Sequence, residues 1–232
     1  MDIKVLGSSS KGNCYVVSDG KTRLLLDCGL PVRQILQGIG FNPQSVAGCL
    51  VTHSHGDHVK AAEKLSRLYG VRVYTSGGCI CAAGLTGAVS VKGMEQFSVG
   101  SWSVLPFDVE HDAPEPLGFL LNSTETGEKL LYFTDTYYVK YRFNGLTHIL
   151  CEANYSLDIL REKIDSGAVP RFLGERVMSS HMSIDHLLEM LKANDLSRLR
   201  QVYLCHLSDS NSDAAEFKQR VQKAVGAEVI VC

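Results

Sequence analysis

Apolar residues come in short runs at the start of the chain: "IKVL", "CYVVS" and "TRLLLDCG", set apart by glycine, serine and asparagine, read as strands joined by turns. "SVAGCLVTH" reads as a buried strand, "HVKAAEKLSRLYG" as a helix stopping at Gly70, and "VRVYT" as another strand. "SWSVLPFDVEH", "LGFLLNS" and "KLLYFTDT" continue as strands. Beyond them strand and helix periods alternate: "THILCEA" (strand), "SLDILREKIDSG" (helix), "SIDHLLEMLKAN" (helix), "QVYLCHL" (strand), "DAAEFKQRVQKAV" (helix) and "AEVIVC" (strand). No repeat and no low-complexity linker interrupts this mixture. It predicts one layered α/β domain spanning residues 1–232.

Composition changes that picture little. With 232 residues, 45% hydrophobic and 21% charged, the chain is ordinary globular material. The start lacks the basic and apolar blocks of a signal peptide, and no window approaches the roughly 18 apolar residues of a membrane span, so a cytoplasmic protein without a membrane partner is expected. Cysteines at 14, 28, 49, 79, 81, 151, 205 and 232 lie mostly inside apolar runs and read as reduced, buried thiols; Cys79 and Cys81 alone have a spacing that could hold a metal. A formal net charge of −2 gives no global attraction for polyanions.

Chemistry concentrates in "LVTHSHGDHV". His53, His55, Asp57 and His58 follow the pattern H-x-H-x-D-H directly after an apolar run, a pattern that composition alone would produce in roughly 5 of 10,000 such chains. Four metal-capable groups on a strand-to-helix turn can be fanned into one cavity by rigid flanking elements. Further candidates end other apolar runs: His111 after "VLPFDVE", Asp135 after "LLYFT" and His206 after "QVYLC". Strand C-termini are where α/β sheets place their sites.

The ordered series Asp27, "HSHGDH", His111, Asp135, His206 resembles the metallo-β-lactamase superfamily. The resemblance implies a four-layer αββα sandwich, with His53, His55 and His111 on one metal, Asp57, His58 and His206 on a second, and Asp135 bridging. It makes Asp27 a residue that orients the ligand loop rather than a ligand. Two divalent ions about 3.5–4 Å apart can hold a bridging hydroxide and neutralise an attacked phosphoryl or carbonyl centre. A ligand set dominated by imidazole suits zinc, while the two carboxylates leave manganese open.

The outer motifs narrow the substrate. "GSSSKGN", "HDAPEPLGF", "SSHMS" and "HLSDSN" together resemble the bacterial YycJ/WalJ-like branch, which implies a 5′ exonuclease on single-stranded DNA, with RNA left open. The resemblance covers nearly the whole chain, but "EANYS" carries Tyr155 where that branch has a histidine. His181 precedes a helix with Ser183 as N-cap, a place that attracts anions, and is the candidate second catalytic residue beside Asp57. Ser9, Lys11, Asn13, Ser183 and Asn211 are candidate substrate contacts; the loop of the first three reads equally as a hairpin turn. Tyr137, Tyr138, Tyr141 and Phe143 could stack bases or fill a core. His148 reads as structural and His186 as a surface residue. Alternatives are a small-molecule hydrolase of a thioester, lactone or cyclic nucleotide, and a non-hydrolytic metal-binding redox module. The oligomeric state is not legible.

Overall fold

The computed structural model describes all 232 residues, Met1–Cys232. They form two compact units, Met1–Asp108 with Ala113–Lys129, and Val109–Asp112 with Leu130–Cys232. No helix is long and apolar enough to cross a membrane.

In the first unit, six strands lie in sequence order: β1 (Asp2–Gly7), β2 (Cys14–Ser18), β3 (Arg23–Leu26), β4 (Gly48–Leu50), β5 (Val73–Thr75) and β6 (Val89–Ser90). The first three pair antiparallel through tight turns and the rest pair parallel through helical crossovers. Helices α1 (Val32–Gly38), α2 (Gly56–Val59), α3 (Ala62–Tyr69) and α4 (Gly77–Ala83) belong to these connections. Their apolar residues, Ile35, Leu36, Leu65 and Cys79 among them, join the sheet residues Val16, Leu25, Cys49 and Val73 in one buried cluster. An antiparallel ribbon of β7 (Phe97–Val99), β8 (Trp102–Asp108) and β9 (Leu117–Ser123) completes the unit.

One carboxylate ties the ribbon to the six-stranded sheet. Asp19, in the β2–β3 turn, accepts through Oδ1 from the amides of Lys21 (3.0 Å) and Thr22 (2.8 Å). Through Oδ2 it accepts from the hydroxyls of Ser101 (2.6 Å) and Ser123 (2.8 Å). Burial works to raise its pKa, but the hydrogen bonds prevail and hold it at about 2.

In the second unit, β10 (Lys129–Phe133), β11 (His148–Glu152), β12 (Gln201–Cys205) and β13 (Glu228–Val231) run parallel. β11 is buried along its full length and β12 in all but its first residue, the pattern of strands covered on both faces. Helices α5 (Leu157–Asp165), α6 (Arg171–Ser180) and α7 (Ile184–Lys192) connect β11 to β12, and α8 (Ala214–Val225) connects β12 to β13.

Six elements differ from expectation: one expected helix is split, and α1, α4, α6, β6 and β7 were not expected. The helix expected from His58 to Gly70 is split, because two backbone groups at its start bond elsewhere: the Asp57 carbonyl accepts from Asn13 N (2.8 Å), and Ala61 N donates to Cys28 O (2.9 Å). Neither α4 nor α6 carries a periodic apolar stripe in the sequence. In α6 only Gly174 and Ser180 are buried, whereas Phe172 and Leu173 are exposed.

Candidate metal centre

The turn after β4 delivers its histidines with defined tautomers. Asp27, fully buried at the end of β3, accepts from His58 Nδ1 (2.7 Å) and from the Thr52 hydroxyl (3.0 Å to Oδ2). That hydroxyl, its proton committed to the carboxylate, accepts in turn from His53 Nδ1 (3.0 Å). One acid therefore orients two imidazoles and leaves the lone pair of each on Nε2, where a metal ligand carries it. The donor atoms of His53 and His55, and those of Asp57 and His58, lie within 4.8 Å of each other. Gly29 lets the loop close on itself: a Cβ there would stand 1.6 Å from the Asp57 carbonyl oxygen.

In the second unit His111 donates from Nδ1 to Ser180 O (2.9 Å), again leaving the lone pair on Nε2. Burial holds its pKa below the usual histidine range, which favours the neutral, ligating form. Asp135 follows β10 and His206 follows β12. Donor atoms of His111 and Asp135, and of Asp135 and His206, lie within 4.8 Å, so Asp135 is common to both pairs, as a bridging ligand must be. Asp27, Asp135 and His206 adopt positive φ (54°, 41° and 51°), a conformation that side chains other than glycine rarely hold.

Glu152 is the residue that sequence reasoning missed. Fully buried at the end of β11, its Oε1 accepts from His181 Nδ1 (2.6 Å) and His206 Nδ1 (3.2 Å), and its Oε2 from the amides of Thr136 (3.1 Å) and Met182 (3.0 Å). Burial lowers the His181 pKa, but the Glu152 charge and hydrogen bond outweigh it and raise the value above the histidine norm. The His181 ring stacks on His206 at 5.7 Å and meets His111 edge-on at 5.5 Å. His181, His206, Asp135 and Glu152 thus form one cluster. A sequence signal existed: an acid closing the apolar run "HILCE", the position Asp135 holds after "LLYFT".

The candidate substrate residues divide. Lys11 is exposed and Ser9 half-buried, the hydroxyl of Ser9 accepting from Lys11 N (3.2 Å). Asn13 is fully buried and donates from Nδ2 to His58 Nε2 (3.1 Å). Ser183 is buried and caps α7, accepting from His186 N (3.1 Å). Asn211 is 8% exposed, and its Oδ1 lacks a hydrogen-bond partner. Tyr155 is buried and bridges to Ser183; burial pushes its hydroxyl up to about 12. Phe143 belongs to the core, Tyr137 and Tyr138 are exposed, and His148 is buried in β11. His186 is half-buried rather than a surface residue, its ring held against Tyr137. All eight cysteines are free thiols, six of them buried. Cys79 is buried and Cys81 exposed, since residues two apart on a helix point different ways.

The chain belongs to the metallo-beta-lactamase superfamily, whose family model matches residues 9–137, and it is accordingly a metal-dependent hydrolase of α/β class. It is 30% identical over 226 residues, 90% of this chain and 82% of the relative, to the exodeoxyribonuclease WalJ of Streptococcus pneumoniae. It is also 30% identical over 228 residues, 91% of this chain and 84% of the relative, to the exodeoxyribonuclease YycJ of Bacillus anthracis. Among solved structures, Zn(2+)-bound PqqB from Methylobacterium extorquens superposes with a TM-score of 0.75 at 17% identity, covering 100% of this chain and 97% of that one.

Proposed function

We propose that the chain is a single-domain, dinuclear metal-dependent 5′ exonuclease acting on single-stranded DNA in the cytoplasm. The observation that carries this reading is the 30% identity to exodeoxyribonucleases over nine-tenths of the chain. By the family resemblance, His53, His55 and His111 would hold one metal and Asp57, His58 and His206 the other, with Asp135 within reach of both sets. The donor set fits: in His53, His58 and His111 Nδ1 is held by Thr52, Asp27 and Ser180, which leaves the lone pair on Nε2. Imidazole-rich sites suit zinc, with manganese the second choice. Bound there, the two cations acidify water and neutralise charge on the phosphate.

The chain's own residues supply the rest. Asp27 and Glu152 fix ring orientation. Hydrogen-bonded to Glu152 through Nδ1, His181 is favoured in its protonated form and holds a proton on Nε2 for the departing alkoxide. Free thiols suit a reducing compartment.

The test is to incubate metal-reconstituted protein with 5′- and 3′-labelled single strands of DNA and RNA, beside a thioester substrate. Stepwise release of label from the 5′ end of DNA is expected. Turnover of the thioester with no cleavage of any strand would replace the nuclease by a small-molecule hydrolase.

A further inference from the structure

Downstream of Asp135 the chain reads Tyr137-Tyr138-Val139-Lys140-Tyr141-Arg142-Phe143, aromatic rings interleaved with cations. Val139 and Phe143 turn into the core, and Tyr137 and Tyr138 stay 37% and 38% exposed. Exposed as they are, both rings are braced. His186 of α7 meets Tyr137 edge-on at 4.9 Å and Tyr138 at 6.3 Å, each at 85°. Its buried Nδ1 has no protein hydrogen-bond partner, so the ring contacts to the tyrosines are the side-chain contacts seen for it. The backbone is fixed as well, Tyr137 N donating to Glu110 O (2.9 Å).

Tyr137 also lines a cavity of about 330 Å³ with Glu175, Met178 and Ser179 of α6. Phe172, 69% exposed, stands three residues before Glu175 and so continues the same helix face outward. The Glu175 carboxylate accepts from Arg171 Nε (2.9 Å), which cancels the negative charge in the cavity wall. Lys140 lies over the Tyr141 ring (5.4 Å), and Arg142 is exposed beside it. Rings that offer π-faces, cations within the same segment and a neutralised wall match one ligand: unpaired nucleobases on a phosphate backbone.

We propose that Tyr137, which shares its cavity with Met178, and Tyr138, both braced by His186, are a stacking platform for the bases of the substrate strand, with Lys140 and Arg142 on its phosphates. This rests on the nuclease reading and adds where the strand lies.

The experiment compares a base-bearing oligodeoxynucleotide with an abasic strand of equal length, using the metal-loaded enzyme. Tyr137→Ala/Tyr138→Ala should raise KM on the base-bearing strand roughly 10- to 100-fold, the range for losing one stacked base, and leave KM on the abasic strand unchanged. Tyr137→Phe/Tyr138→Phe, which keeps the rings, should retain the wild-type KM on both. An equal rise on both strands would reduce the tyrosines to a structural role, and no rise on either would remove them from the binding path; both results overturn the platform. Wild-type protein that cleaves neither strand would overturn the nuclease reading, and the platform with it.

Discussion

Asp57 separates backbone duty from side-chain duty. Its carbonyl accepts from Asn13 N, a contact any residue could make. Its carboxylate, partly exposed beside His58 Nε2 (3.3 Å), is the group assigned to metal and proton. Asp57→Ala should therefore cut turnover about 10²–10⁴-fold while circular dichroism stays that of the wild type; activity near wild type would refute the assignment. His181 makes a sharper test. DNA cleavage expels an alkoxide that needs a proton, whereas bis-p-nitrophenyl phosphate expels a stable phenolate. His181→Ala should depress DNA hydrolysis about 10²–10⁴-fold and the aryl ester far less, at unchanged metal content. Equal losses would point to packing alone. These two residues were legible for different reasons. Asp57 belongs to a local cluster that accident rarely produces, and His181 stands before a capped helix. Glu152 was missed although an acid closes its apolar run, because its role depends on His181 and His206, which lie 29 and 54 residues away.

At the level of elements, strands announced themselves through fully apolar runs, and α7 through its apolar stripe and Ser183 cap. The division between α2 and α3 could not be read, since it depends on backbone bonds to Asn13 and Cys28, residues remote in sequence. Nor could α6, whose exposed Phe172 and Leu173 give no amphipathic period. The Asp19 junction carries a prediction of its own. A carboxyl held near 2 when folded and near 3.8 when unfolded stabilises the fold above about pH 4, and that contribution fades as pH falls toward 2. Asp19→Asn should lower stability by about 1–2 kcal/mol at pH 7 and by almost nothing at pH 2, measured by denaturant titration. An equal loss at both pH values would show that the carboxylate's charge plays no part.

For the whole molecule, a net charge of −2 leaves attraction of a polyanion to local cations. Seven proposed ligands exceed the three or four that one zinc accepts, so protein purified without chelator should carry two ions per chain by elemental analysis. Chelation should lower the melting temperature, because the ions bind only the folded state. A stoichiometry near zero after zinc or manganese is supplied would remove the centre altogether.

The left-handed backbone at Asp27, Asp135 and His206 sets stability against activity. Each such residue costs on the order of 1 kcal/mol that glycine would not. Asp135→Gly and His206→Gly should therefore relieve backbone strain in metal-free protein, whereas in metal-loaded protein the lost ligands outweigh that relief and the melting temperature falls. Aspartate and histidine at these two strained positions thus spend backbone comfort on side chains that glycine does not have.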